Sequence, residues 1–488
     1  MDNLKEYKMY INGEWVNSSD GKIFNSLNPA EGEPWAIVQA ASPDDVKYAI
    51  NSANDAQKEW STLTFLERAN HIENFVKLLK QPNNTSAVAL TETTDWGRQL
   101  KNSLKAVNTA ARYANYYIHA SDHVKGSVNS TDDKNIFNYE LREPLGVIGA
   151  IVPWNAPTVM AIDKIIPAII MGNTIVIKPS EHCSVPLLEM AELMRQAGFP
   201  KGVVNVVTGD EKVGEALVSS PDVNKIAFTG SVKVAKRIAQ FAIQHLKPCL
   251  FELGGKSPNI VFNDAAIKQA VNGAILAFRN MGQTCIAPTR LLLQDDIYEG
   301  FVKDLVKKCK TLRIGVPLDN DSDLGPLATK VQLDKVQRYI EIGRSEGATE
   351  VLGDSDYDKS KVNPNGYYIG PTIFANANNK MRIAQEEIFG PVLTVIPFKY
   401  EEEAIVIAND TNYGLAAGVW TKDLNKAHRV ARQLQAGTVW VNTYHEFYVQ
   451  TPFGGYKDSG NSRERGLDVL NEYSQKKNVL VRLQENNE

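Results

Sequence analysis

Cys285 is the residue around which chemistry is most readily imagined. It ends the stretch Phe278-Arg279-Asn280-Met281-Gly282-Gln283-Thr284, and Gly282 lets the backbone turn sharply just before it. A thiol there has two readings, a small buried hydrophobe or a nucleophile. None of the chain's 7 histidines, and no carboxylate, lies within a few residues of it, which disfavours a Cys-His hydrolase. Glu252 closes the apolar run Pro248–Leu253 and precedes Gly254-Gly255. A carboxylate at the mouth of a buried strand can carry a raised pKa and serve as a general base, or else pair with a lysine. A second group of polar residues clusters at other strand ends. Lys178 can meet a phosphate or a ribose hydroxyl, and Glu181 can accept from ribose hydroxyls while repelling a 2′-phosphate. Ser231 opens a helix whose free amides suit a pyrophosphate. Read singly, these three are a surface lysine, a solvated glutamate and a helix cap. The chain has no G-x-G-x-x-G and no P-loop.

The elements that must position these residues are legible as alternation. Apolar runs at 146–152, 174–178, 203–207, 225–228 and 248–253 are separated by helical patterns such as 186–197 and 231–245. This is the pattern of a parallel, doubly wound α/β sheet, which binds ligands beyond the carboxyl ends of its strands. Those ends carry Pro153-Trp154-Asn155, Lys178-Pro179-Ser180-Glu181, Thr208-Gly209 and Thr229-Gly230-Ser231. A second, less regular α/β unit is expected from 254 to about 460. Before the first sheet, residues 1–41 read as a small surface β-meander. Helices follow from Ser42-Pro43-Asp44-Asp45, through 66–79 and over 100–119. The segment 270–278 reads as a helix. Strand-like stretches at 135–142 and 478–483 have no evident partner and would be exposed edges, so pairing between subunits predicts a homo-oligomer.

Composition excludes several classes. In 488 residues, 43% are hydrophobic and 23% charged, an ordinary globular profile too long for one core. A net charge of -4 leaves no footprint for nucleic acid or an anionic membrane. No run approaches the roughly 18 apolar residues of a membrane span. The first residues, Met1 to Lys8, show no cleavable signal. The 4 cysteines (Cys183, Cys249, Cys285, Cys309) form no C-x-x-C pair, which argues for a reducing compartment and no metal site. A cytoplasmic protein is expected.

Beyond single residues, the motifs resemble a known family. Phe251-Glu252-Leu253-Gly254-Gly255-Lys256-Ser257-Pro258 and Phe278-x-Asn280-x-Gly282-Gln283-x-Cys285 closely resemble the glutamate and cysteine signatures of the aldehyde dehydrogenase superfamily. Pro153-Trp154-Asn155-x-Pro157, Lys178-Pro179-Ser180-Glu181 and Phe228-Thr229-Gly230-Ser231 follow in the family's order, as do Glu387-Ile388-Phe389-Gly390-Pro391 and Pro452-Phe453-Gly454-Gly455-x-Lys457-x-Ser459-Gly460. The resemblance implies two doubly wound α/β domains and a small β oligomerisation arm. Residues 1–125 and 146–253 would bind NAD, 254–460 would carry catalysis, and 126–145 with 461–488 would form the arm and tail of a homodimer or homotetramer.

The resemblance also implies roles. Cys285 would attack an aldehyde as thiolate, with the oxyanion held by the Asn155 amide and the Cys285 N–H. NAD would accept the hydride, and Glu252 would activate water to release the acid from the thioester. Pro153, Trp154, Lys178, Glu181, Gly209, Thr229, Gly230, Ser231, Glu387 and Phe389 would contact the cofactor. Glu464 falls where some members have a second carboxylate in a proton path. Relatives that pass the acyl group to coenzyme A usually lack the Glu252 base. Ala235 and Ser462 depart from glycines common in the family.

Ala156, Val159, Met160, Asp163, Thr284, Ile286 and Phe447 would line the substrate tunnel, and its apolar members suit a medium-sized aliphatic or aromatic aldehyde. Asp163, at an often aromatic position, with His445 and Glu446 nearby, suits instead an amino- or betaine-type aldehyde, unless these polar groups pair with one another or with solvent.

Overall fold

The computed structural model describes residues 4–483. Met1–Asn3 of the N-terminal reading, and 484–488 of the expected tail, lie outside the described residues. The first large sheet is built from β1 (Met9–Ile11), β2 (Glu14–Val16), β3 (Val147–Val152), β4 (Thr174–Pro179), β5 (Val204–Val206), β6 (Lys225–Thr229) and β7 (Cys249–Glu252). Its spatial order is β7-β6-β3-β4-β5-β1-β2. The five strands from β3 to β7 run parallel. β4, β5 and β6 are buried along their whole length, which is why they read as largely apolar runs with no polar-out alternation. From β3 the chain winds outward through β4 and β5, then returns to place β6 on the other side of β3. A crevice therefore opens between the ends of β3 and β6, the switch point at which such sheets bind ligands.

The N-terminal expectation needs correction. β1 and β2 do not belong to a separate surface meander; they turn at Asn12-Gly13, both with positive φ, and join the large sheet through Tyr10 opposite Val206. Only Lys5–Tyr7, Ile23–Asn28 and Glu33–Gln39 form a separate three-stranded sheet. The helix expected after Ser42 spans Pro43–Trp60, with Ser42 and Asp45 in a reciprocal capping box. A further helix, Pro82–Trp96, went unread because its threonines and asparagines obscure the apolar stripe; it stops at left-handed Gly97.

The second sheet contains β8 (Pro258–Val261), β9 (Arg290–Gln294), β10 (Thr349–Leu352), β11 (Thr372–Ala375), β12 (Val392–Phe398), β13 (Ala416–Trp420) and β14 (Thr438–Val441), in the order β10-β11-β12-β9-β8-β13-β14. Only β10 is antiparallel to its neighbour. The predicted helix at 270–278 is shorter and earlier: Ile267–Ala274 is α-helical, followed by tighter 3-10 turns. The edge-strand expectation holds for Ser474–Arg482, which stays an exposed outer strand, and is corrected for Ile136–Pro144, which is central in its sheet. Ile136–Pro144 and Ser474–Arg482 pair with each other, antiparallel, from Ile136 opposite Arg482 to Pro144 opposite Ser474. Strands so far apart in sequence could not be matched by pattern alone.

Candidate active site

The two sheets bring their loops together at Cys285. After the 3-10 turns, Asn280, Met281 and Gly282 all adopt positive φ (51°, 59° and 66°), an unusual run that swings the chain into the crevice. Gly282 is required there twice over. Its φ is left-handed, and a Cβ would lie 2.2 Å from the Gly390 carbonyl oxygen, so this loop packs directly on the Glu387–Pro391 loop. Gln283 braces the turn, accepting from Ala328 N at 2.9 Å.

Cys285 is half-buried and opens on a cavity of about 200 Å³. Asn155 shares that wall, and its Nδ2 donates to the Gln283 carbonyl at 3.0 Å. The opposite side consists of Pro153, Trp154, Thr229, Gly230 and Ser231 from the ends of β3 and β6, with Glu387 and Phe389. Phe389 meets Trp154 edge to face, ring centroids 5.5 Å apart. Gly255 N donates to Glu387 Oε1 at 3.0 Å, and a Cβ on Gly254 would collide with that carboxylate at 2.3 Å. The paired glycines thus seat Glu387.

Glu252 is buried beside this cavity rather than on its wall. Neither carboxylate oxygen has a hydrogen-bond partner, and a Cβ on Gly454 would lie 2.7 Å from Oε1. Burial, then the Glu464 charge, raise its pKa well above the ordinary carboxylate range. Glu464 itself is paired: Lys164 Nζ reaches its Oε1 at 2.5 Å and donates to Thr229 Oγ1 at 2.8 Å. Burial pushes the Cys285 thiol up to about 12; Glu387 and Glu252 add to this and Arg465 opposes it.

A second groove, about 360 Å³, continues from the first through Pro153, Trp154, Thr229, Gly230 and Ser231. Lys178, Glu181, Gly214 and Arg237 line it. Ser231 caps the helix Val232–Ala242, accepting from Val234 N at 3.3 Å, so the groove faces a helix N-terminus. Lys178 is buried, with Nζ 3.5 Å from Glu181 Oε2. Gly209 lines neither cavity. It lies against Val213. Ala235 lies on the buried face of the capped helix. Ser462 contacts the site only through its carbonyl, beside Gly454.

Of the expected tunnel residues, Met160 lines the Cys285 cavity. Ala156, Val159 and Thr284 are half-buried, whereas Ile286 is buried and its carbonyl accepts from Tyr444 Oη at 3.0 Å. Phe447 packs among the rings of Trp440, His445 and Phe453. Asp163 is not a free wall group. It is fully buried, accepting from Tyr117 Oη at 2.9 Å and from Arg465 Nε and Nη2 at 3.1 Å each. His445 is likewise engaged, by Arg279 Nη1 at 2.9 Å. Glu446 is exposed. The sequence reading missed Gln332 and Lys335, which line the Cys285 cavity from the helix Lys330–Ser345. Their three-residue spacing puts them on one helix face, but nothing in that polar helix distinguishes them from solvated positions.

An α/β chain with a cysteine loop folded over the switch-point crevice defines a class, and comparison names it. The sequence pattern of the aldehyde dehydrogenase family matches residues 15–479. The chain is 40% identical over 486 residues to aldehyde dehydrogenase family 2 member C4 of Arabidopsis thaliana, covering 98% of this chain and 96% of that one. It is 41% identical to a betaine aldehyde dehydrogenase of Bacillus subtilis, covering 96% of each. An aldehyde dehydrogenase of Bacillus cereus solved as an NAD+ complex superposes with a TM-score of 0.95 at 39% identity, covering 98% of this chain and 97% of that one. The chain belongs to the aldehyde dehydrogenase family.

Proposed function

We propose that this protein oxidises an aldehyde to its carboxylic acid with NAD and water, through a thioester on Cys285. The observation that carries this reading is that Cys285, Asn155, Glu387 and the β3 and β6 ends share one cavity, with an unpartnered buried Glu252 beside it. The cofactor groove fits a dinucleotide. It has a helix N-terminus for phosphates, a buried lysine at hydrogen-bond range of Glu181, and a continuous path to Cys285. Lys178, Glu181 and Ser231 would hold the adenosine and phosphate end, and Glu387 and Phe389 the nicotinamide end. Glu181 at the groove disfavours a 2′-phosphate. NAD bound there supplies the acceptor for the hydride that leaves the thiohemiacetal.

The chain's own residues do the rest. Cys285 gives its proton to solvent in the open cavity and, as the thiolate, bonds to the aldehyde carbon. The oxygen that gains charge is held by Asn155 Nδ2 and the Cys285 N–H. Asn155 is pre-aimed because its amide already rests on the cysteine loop. Glu252 has no hydrogen bond to break, so a side-chain rotation can bring it to the cavity. There it takes a proton from the water that attacks the thioester, freeing the acid and the Cys285 sulfur.

A cytoplasmic setting agrees with four free cysteines, and no helix among the described residues is long and apolar enough to cross a membrane. A homo-oligomer formed through the arm sheet is supported by the outer strand Ser474–Arg482, which is exposed along nearly all its length, and by exposed Phe137, Leu141 and Leu480.

The test is NADH formation across an aldehyde panel, with and without coenzyme A, using Cys285→Ala as control. Acid product independent of coenzyme A is expected, and a thioester product appearing only with coenzyme A overturns the hydrolytic reading.

A further inference from the structure

Arg465 is unusual in this chain, and its surroundings bear on substrate choice. Its backbone has a positive φ of 62°, and its guanidinium carbon lies 5.0 Å from the Tyr113 ring centroid, 5.3 Å from Phe447 and 5.0 Å from Phe453. Boxes of aromatic rings are how proteins recognise quaternary ammonium groups. Here the box is filled by the protein's own cation. Asp163, the carboxylate a cationic substrate would need, is fully buried with both oxygens engaged, one by Tyr117 and one by Arg465.

The box adjoins the reaction site. Asp163 follows Met160, a wall residue of the Cys285 cavity, by three positions on the helix Pro157–Ile170, close to one turn. Glu464, the neighbour of Arg465, joins through Lys164 to Thr229 on the same cavity. The Arg465 charge is felt at both Cys285 and Glu252.

What the box leaves unsatisfied are donors. Asp163 takes Nε and Nη2 of Arg465; among the described residues Nη1 has no acceptor, and it is not sealed from solvent. Beyond Phe447, whose ring centroid is 5.2 Å from that of His445, the imbalance recurs. Arg279 can only donate, so His445 Nδ1 accepts and the proton sits on Nε2; that atom and Arg98 Nε are buried without partners. Burial, then the Arg279 and Arg98 charges, lower the His445 pKa to about 3, which keeps the ring neutral.

We propose that Arg465 is the specificity-determining residue of this site and that the substrate is an aldehyde carrying an anionic group, in the simplest case a carboxylate, at its far end. This deepens the proposed aldehyde oxidation and rests on it. Nη1 of Arg465 supplies the charge-assisted contact, Asp163 and the three rings fix the guanidinium, and cationic aldehydes are shut out because their place is taken.

The test compares kcat/KM of the full chain with NAD for n-alkanals, ω-carboxy aldehydes of matching chain lengths and a trimethylammonium aldehyde. The wild type is expected to favour the carboxy aldehyde by about tenfold to a hundredfold over its neutral counterpart, with the cationic one last. Asp163→Asn/Arg465→Gln, which removes both charges together, is expected to erase that preference, and Arg465→Lys to keep part of it. A wild-type preference for the trimethylammonium aldehyde, or a ratio unmoved in the double variant, overturns the proposal even if every aldehyde is oxidised. A second arm needs no turnover: protection of Cys285 from iodoacetamide by dicarboxylates and by monocarboxylates of equal length. Stronger protection by the dicarboxylate in wild type, lost in the double variant, supports the proposal; equal protection overturns it. If no aldehyde yields NADH, the oxidation reading fails and this arm alone decides whether the box selects anions.

Discussion

The cavity at Cys285 has two walls built by different means. The cofactor wall is made of backbone: strand ends, a helix N-terminus, and glycines packed against carbonyls and against Glu387. The far wall, at Met160, is backed by side-chain charges behind its lining, with Asp163 and Arg465 locked together among aromatic rings. Backbone walls present the same donors whatever the side chains, which suits a cofactor. A wall of paired charges changes its preference with one substitution, which suits a variable substrate. Glu252 is buried beside the cavity and held by no hydrogen bond, whereas Glu387, on the cavity wall, is tied to Gly255 N. The fixed carboxylate can position a ligand; the untied one can move to a proton.

The largest effect should come from the untied group. Glu252→Gln is expected to slow steady-state turnover by about 10²–10⁴-fold while sparing the first NADH per site in a rapid-mixing burst. Unchanged turnover would remove the contrast with Glu387. On the far wall, Asp163→Ala strands a buried guanidinium and should destabilise the chain by about 3–5 kcal/mol in denaturant unfolding; a loss below 1 kcal/mol would mean the pair is not what holds that wall. The backbone wall should be less costly to perturb. Gly282→Ala forces a Cβ onto the Gly390 carbonyl at a left-handed φ, an expected loss of about 1–3 kcal/mol, with Cys285 labelling altered because the loop must shift. The smallest effect concerns the thiol. With burial, Glu387 and Glu252 holding it up to about 12, the anion is scarce at neutral pH in the cofactor-free protein. Iodoacetamide labelling of Cys285 should therefore rise about tenfold per pH unit from 7 to 9, and a plateau by pH 8 would contradict this.

Local chemistry explains what could be read early. Val/Ile runs identify buried parallel strands, and Lys178, Glu181, Thr229, Gly230 and Ser231, placed at their ends by pattern, line one groove. Gly209, placed by the same logic, is not among the residues lining that groove, though Glu211 and Gly214 just after it are. The 3-10 turns and left-handed run before Cys285 escaped periodicity, since Ala270–Phe278 is apolar enough to pass for one helix. Gln332 and Lys335 gave no signal on a solvated helix.

The sequence by itself determined the alternation of strands and helices, the family, and the residue types around Cys285. These depend on neighbours a few positions apart, where propensity and periodicity act. The tertiary structure decided what Asp163 does. Its partner Arg465 lies 302 positions away, and no local rule distinguishes a carboxylate that will meet a guanidinium from one that will face a substrate. Burial removes both charges from water together, so each is stable there only because the fold delivers the other.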